Sequence, residues 1–76
     1  MLSLQGNHSV EITPSDTVDL PQPMMIRFGD NGSLKVTTLG GETTTWNNCI
    51  AGATEATWVS RVWATGSTIS DLHGIY

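Results

Sequence analysis

Positive charge is scarce in this sequence. Arg27, Lys35 and Arg61 are its only basic side chains, and with seven acidic residues the 76-residue chain has a net charge of −4. Proteins bind nucleic acids largely by placing Lys and Arg side chains against phosphates. Three scattered cations build no such surface, so we expect no nucleic-acid partner.

Cysteine and long apolar runs are scarce too. With Cys49 as the single cysteine, no internal disulfide is available, and no pair of residues shows the CxxC or HxxxH spacing of a structural zinc site. No run approaches the ~18 apolar residues of a membrane helix. The first residues lack the basic region and apolar core of a signal peptide. We expect a soluble protein made in a cytoplasm, without cofactor, metal or membrane.

The small size of the chain points to self-association. One domain of 76 residues has a core that supplies roughly 3–5 kcal/mol, and such domains usually need a further means of stabilisation. Disulfides and zinc are excluded, which leaves contact between subunits. Only 13% of the residues are charged, whereas soluble designed surfaces carry charge at roughly 25–35% of their positions. We therefore predict a homo-oligomer with much of its surface covered.

The residue pattern predicts an all-β fold, a small antiparallel β-sandwich or open barrel of five to six short strands with an extended N-terminal arm. Threonine, valine and tryptophan favour strands, and Asn31-Gly32 and Gly40-Gly41 indicate tight hairpin turns. Residues 24–47 are predicted to form a three-stranded meander, with Leu34 and Val36 pointing inward. Alternation in MMIRF places Met24, Ile26 and Phe28 on one face of the first strand, and Met25 and Arg27 on the other. The predicted strands cover residues 10–13, 24–28, 33–39, 42–47, 57–65 and 70–76, and a helix over 57–65 is the alternative for the fifth.

The whole chain, residues 1–76, is interpreted as one β-domain. Residues 1–11 are predicted to be a flexible extension, residues 12–23 an extended proline-rich arm, and residues 24–76 the β core. The arm, ITPSDTVDLPQP, holds all three prolines of the chain. Each proline drives the residue before it toward extended backbone.

The arm shows no catalytic or metal-binding pattern. Asp16-Thr17 resembles the Asp-Thr of aspartic proteases, but Val18 stands where a glycine should follow. Asp16 and Asp19 lack the spacing of a calcium loop. Ser15 and Asp16 are expected instead to accept hydrogen bonds from backbone N–H groups in turns.

Two further site hypotheses concern the cysteine and the tryptophans. Cys49 with His8 or His73 could form a thiol–imidazole pair, but no motif surrounds the cysteine, and we expect a buried, unreactive thiol and no enzyme activity. Exposed tryptophans would suit a carbohydrate-binding module, which is the alternative function. Trp58 and Trp63 have opposite parity along the predicted strand, so one is expected to face the subunit core and the other a subunit interface.

Several stretches follow one another in an order that resembles the small spike base proteins of gene transfer agents and related tailed phages. They are ITPSDTVDLPQP, FGDNGSLKV, LGG before ETTTW, and VSRVWATGSTISDL with the terminal Tyr76, and together they span Ile12 to Tyr76. The resemblance implies an all-β virion protein on the capsid exterior, a head spike base or a cement (decoration) protein assembled in the host bacterial cytoplasm. It implies three partners: further copies of the chain in a homotrimer or homopentamer, the major capsid protein, and a head fibre protein.

Docking is predicted to involve the arm and the fifth strand. A proline-fixed segment loses little entropy when it binds another surface. Arg61, on an apolar strand, needs an acidic or carbonyl partner, and an ordinary pair within the chain is the other interpretation. The predicted interface residues are Ile12, Pro14, Asp16, Leu20, Pro21, Pro23, Trp58, Arg61 and Trp63.

Overall fold

The computed structural model describes residues 8–69 and 71–76, which form a single antiparallel sheet. Its order, β1-β6-β2-β5-β3-β4, confirms the predicted all-β antiparallel fold. Residues 1–7 of the predicted extension, and Ser70 at the start of the predicted last strand, lie outside the described residues. The described part of the chain has no helix long and apolar enough to cross a membrane. The strands are β1 (Ser9–Glu11), β2 (Met24–Phe28), β3 (Gly32–Thr38), β4 (Thr43–Cys49), β5 (Thr54–Val62) and β6 (Leu72–Ile75).

Of the two strand pairings in the predicted meander, one is confirmed and the other is wrong. β3 and β4 form the expected hairpin, and Gly41 occupies its turn with a φ of 96°. β2 does not pair with β3, because β5 lies between them. A type I′ turn needs positive φ at both central residues, whereas in the Asn31-Gly32 pair Gly32 alone has it. Asn31 instead accepts a hydrogen bond from the Ala51 N–H at 2.8 Å.

β5 is the central strand at which the sheet bends, and it is shared by the two halves of the sheet. Its first residues pair with β2 as far as Val59, and the residues from Val59 to Val62 pair with β3. Both ladders shift register there, which places extra residues on β5, and such bulges bend a strand. The Ser60 hydroxyl donates to the Thr37 and Thr38 carbonyl oxygens, at 3.2 and 3.4 Å. A bent strand shared by two halves of a sheet lets them fold over one core.

The core lies inside this bend. The inward positions predicted on β2 and β3 are buried, but Met25, predicted on the opposite face, is also only 5% exposed. β5 contributes Val59 and Val62, whose spacing of three residues departs from strand alternation because the bulge at Ser60 intervenes. Neither Trp58 nor Trp63 enters the core, contrary to the expectation from parity. The buried cluster comprises Ile12, Met24, Ile26, Phe28, Leu34, Val36, Cys49, Val59, Val62, Ile69 and Leu72.

β1 and the start of the arm complete one side of the sheet. Ser9–Glu11 pairs with β6, so the sheet begins within the segment that the sequence assigned to the extension. Val10 pairs with Gly74, where an added Cβ would lie 2.9 Å from Ile12 Cδ1. The missing side chain at Gly74 leaves the space into which Ile12 packs.

Candidate interaction surface

The proline-rich arm lies along β5 of its own domain. β2 pairs with β5 only as far as Val59, so beyond that point β5 needs a different neighbour on that side. The arm takes this place. Ser15 N–H donates to the Val62 carbonyl at 2.9 Å, and Leu20 N–H donates to the Ser60 carbonyl at 2.8 Å. Backbone groups that would otherwise form an open strand edge are thus satisfied within the chain.

Arg61 finds both predicted kinds of partner in the arm. Its Nε donates to Asp19 Oδ1 at 2.7 Å, and its Nη1 donates to the Asp16 carbonyl at 3.2 Å. An ion pair this exposed contributes only about 0–1 kcal/mol, but it sets the position of the arm on β5. The intrachain interpretation of Arg61 therefore accounts for its contacts.

Asp16 is the main polar anchor of the arm. Its carboxylate accepts hydrogen bonds from the Ala64 and Thr65 N–H groups, both at 2.9 Å, and from the Thr65 hydroxyl. These bonds, the hydroxyl bond foremost, lower the pKa of Asp16. Ser15 Oγ accepts from the N–H groups of Thr17 and Val18, at 3.3 and 3.2 Å. Ser15 thus acts locally, as predicted for turn residues, while Asp16 ties the arm to residues far along the chain.

Replacing Asp16 with asparagine should flatten the acid side of the stability profile. A carboxylate whose pKa is lower in the folded than in the unfolded state stabilises the fold above its ordinary pKa of 3.8. That contribution disappears as the pH falls through the lowered value. We expect the urea midpoint of the wild type to drop through this window and that of Asp16→Asn to change less.

The matched control is Asp30→Asn. Asp30 Oδ1 accepts a hydrogen bond from the N–H of the next residue, Asn31, at 3.0 Å, and does not join distant segments. Amide exchange at Ala64 and Thr65 in this variant should match that of the wild type. Faster exchange there in Asp16→Asn alone would locate the effect at the arm, and equal acid profiles in the wild type and Asp16→Asn would contradict this role of Asp16.

The remaining predicted docking residues differ widely in exposure. Ile12 is 4% exposed and belongs to the core, so it does not lie on the surface. Pro14 and Leu20 are half-buried, while Pro21 and Pro23 are exposed. Beside them Val18 is 66% exposed, next to a groove of about 240 Å³ under the arm. The outer side of the arm therefore remains available to another molecule.

The three tryptophans have three different environments. The Trp63 indole N–H donates to Thr37 Oγ1 at 2.9 Å, and its ring lies against the cations of Lys35 and Arg61, at 4.7 and 5.1 Å. Trp46 meets Phe28 edge to face at 6.2 Å. Trp58 is 45% exposed. The carbohydrate hypothesis requires a platform of exposed, coplanar rings, and only Trp58 among the three is exposed.

Cys49 lies far from both histidines in the strand order. It ends β4 at one edge of the sheet, while His8 and His73 lie at the opposite edge with β1 and β6. Its Sγ donates to the Trp46 carbonyl at 3.4 Å, and burial, assisted by the charge of Glu55, raises the pKa of the thiol. Within residues 8–69 and 71–76, no group of three or more His, Cys, Asp or Glu residues is placed to hold a metal ion.

β4 is a surface that the sequence analysis did not single out. Its residues are mostly exposed, and grooves of about 460 and 410 Å³ adjoin its C-terminal end. The uncharged run TTTWNNC was the available signal, but its meaning depends on β4 being an edge strand.

Comparison with known proteins identifies a relative among the solved structures. No protein-family model and no curated protein matches the chain. Among solved structures, a chain of the "Capsid of native GTA particle computed with C5 symmetry", where GTA denotes gene transfer agent, is 32% identical. The match covers 100% of this chain and 92% of that chain, with a TM-score of 0.83. The chain therefore belongs to the family of this gene transfer agent capsid component.

Proposed function

We propose that the chain is a non-enzymatic structural protein of a virion. It is an accessory on the capsid exterior, either a head spike base or a cement protein, which forms homo-oligomers and docks on the major capsid protein. The observation that carries this proposal is the end-to-end likeness to a chain of a gene transfer agent capsid, at 32% identity. A component of a capsid assembles with other capsid proteins, which supports a virion location and protein partners.

The surface of the domain supports a role in assembly. Val18, Leu39, Ile50 and Trp58 are large apolar side chains between 45% and 67% exposed. Three of them lie outside the arm, which broadens the available surface beyond the predicted docking segment. A protein that binds only the assembled shell stabilises that shell by mass action. Copies that bridge neighbouring capsomers add to this through avidity.

The two forms of the proposal predict different symmetries. A spike base at a fivefold vertex is expected to be a pentamer that carries a fibre. A cement protein at threefold or quasi-threefold positions is expected to be a trimer. The oligomeric mass therefore distinguishes them.

Native mass measurement and binding to shells that lack this protein test the proposal together. We expect a native mass of three or five times the 8.2 kDa of the chain and co-sedimentation with the shells, which should then resist heat or denaturant better. An unrelated small β-protein of similar charge serves as the control for trapping in the pellet. A stable 8.2 kDa monomer that stays in the supernatant would refute the proposal.

A further inference from the structure

β4 carries backbone hydrogen-bonding groups that point out of the sheet. Its residue Thr45 pairs with Lys35 of β3. The Lys35 N–H donates to Ser67 Oγ at 3.0 Å and the Lys35 carbonyl accepts from the Trp63 N–H at 2.9 Å, so both groups point away from β4. In an antiparallel ladder, residues that do not exchange hydrogen bonds both direct their groups outward. The N–H and C=O of Thr45 therefore face away from β3.

Among the described residues, nothing of the usual kind protects this edge from Thr43 to Thr45. β4 spans seven residues, Thr43–Cys49, without charge or proline. Natural edge strands are normally short, charged, bulged or covered. The bulge at Asn48, whose φ is 62°, lies near the C-terminal end of β4 and leaves Thr43 to Thr45 regular. The opposite edge, β1, has three residues and ends in Glu11.

Two grooves adjoin the C-terminal end of β4, and one of them reaches back to Thr45. Residues Asn47 to Ile50 line both of them. One groove, of about 460 Å³, continues to Asn31 and Ser33, and the other, of about 410 Å³, continues to Phe28 and Glu55. A free strand edge beside side-chain pockets is the arrangement by which proteins accept an added strand, with the backbone giving affinity and the pockets giving specificity.

The charges beside β4 indicate the kind of strand that fits. Glu42 precedes β4 and Glu55 lines one groove. Among the described residues the one ion pair between side chains of permanent opposite charge is Arg61–Asp19, so neither glutamate takes part in one. A second copy of this chain would bring further acidic residues to this edge. If its β1 paired with β4, Glu11 would lie nearby, and if its own β4 paired there, a second Glu42 would. A segment with a basic residue complements this edge better.

We propose that β4 accepts an extended segment of the major capsid protein as an added β-strand. Alternate apolar side chains of that segment enter the grooves, and a basic side chain pairs with Glu55. This inference rests on the proposed function, since it names the contact by which the accessory holds the shell.

Two pairs of variants test the added strand by titration of shells in a co-sedimentation assay. Thr45→Pro removes the outward N–H of β4, and Ser9→Pro makes the same change on β1 at the other edge. Glu55→Lys reverses a charge beside β4, and Glu11→Lys reverses one on β1. We expect Thr45→Pro and Glu55→Lys to weaken shell binding at least about tenfold, and the β1 variants to change it less than about twofold.

The outcomes separate this inference from the proposed function. If the wild type does not bind shells, the proposed function fails and the inference fails with it. If the wild type binds and both β4 variants bind equally well, only the inference fails. Loss of the oligomeric mass in Glu55→Lys would overturn it as well, because β4 would then bind a second copy. If Thr45→Pro does not fold, the shell binding of Glu55→Lys, a substitution at an exposed residue, tests the inference alone.

Discussion

Replacing Leu34 with alanine is expected to lower the free energy of unfolding by about 2–5 kcal/mol, because the change removes buried methyl groups and leaves a cavity. Leu34 is fully buried on β3, within the cluster that the two halves of the sheet enclose. A domain of this size derives only roughly 3–5 kcal/mol from its core. The isolated Leu34→Ala chain should therefore be largely unfolded at room temperature, as measured by urea titration with circular dichroism.

Leu39→Ala is the matched control for this experiment. Leu39 follows β3 by one residue and is 58% exposed, so the same chemical change there should alter the free energy of unfolding by less than about 0.5 kcal/mol. A loss at Leu39 as large as that at Leu34 would mean that Leu39 is covered in solution, as it would be in an oligomer. Titrations at two protein concentrations reveal that case, since only association makes the midpoint depend on concentration.

Replacing Gly32 with alanine is expected to cost about 3 kcal/mol or more, from two sources. The φ of Gly32 is 152°, a conformation that side chains disfavour by about 1–3 kcal/mol. In addition, a Cβ there would collide with Thr68 Oγ1. That hydroxyl accepts a hydrogen bond from the Ser33 N–H at 2.9 Å, so moving Thr68 aside breaks a contact at the start of β3. Urea denaturation measures the loss, and faster exchange of the Ser33 amide should accompany it.

Gly41→Ala separates the two sources. The φ of Gly41 is 96°, but no atom of the described residues beyond its two chain neighbours lies within 4 Å of an added Cβ. The expected loss is therefore conformational strain alone, about 1 kcal/mol. Equal losses at Gly32 and Gly41 would show that contact with Thr68 contributes nothing.

The local features of the fold could be predicted from the sequence. Alternation in MMIRF correctly predicted the strand β2. The alternating apolar residues Leu34 and Val36 correctly predicted the inner face of β3, where both are buried. The Gly40-Gly41 turn correctly joined β3 to β4. Each of these depends on residues within a few positions of one another, where backbone geometry and alternation decide the outcome.

The pairing of distant strands could not be predicted in this way. Nothing in the hairpin signal at Asn31-Gly32 reveals that β5 separates β2 from β3. The bulge at Ser60 also depends on pairing with β3, and it changes which face each later side chain takes. The parity argument assumed regular alternation along this strand, and it therefore wrongly predicted a tryptophan in the core. Val59 and Val62 are the buried side chains instead.

The candidate surface was also predicted only in part, because it too depends on contacts between distant segments. The sequence identified the arm as extended and Arg61 as needing an acidic or carbonyl partner. It could not show that these two requirements meet each other, since Arg61 and Asp19 lie 42 residues apart in the chain. β4 was missed because an uncharged strand becomes a candidate binding edge only when the topology leaves it at the end of the sheet.

The strand order also has a consequence for folding during synthesis. β2 has β5 and β6 as its neighbours, and β1 pairs with β6, so among the described strands β1 and β2 have no partner until the last third of residues 1–76 has been synthesised. Of the pairings among these six strands, β3 with β4 alone joins strands that are consecutive in the chain. Such non-local pairing slows folding. The nascent domain is therefore expected to stay open until β6 emerges, and its arm can bind β5 only after residues 60–65 have emerged.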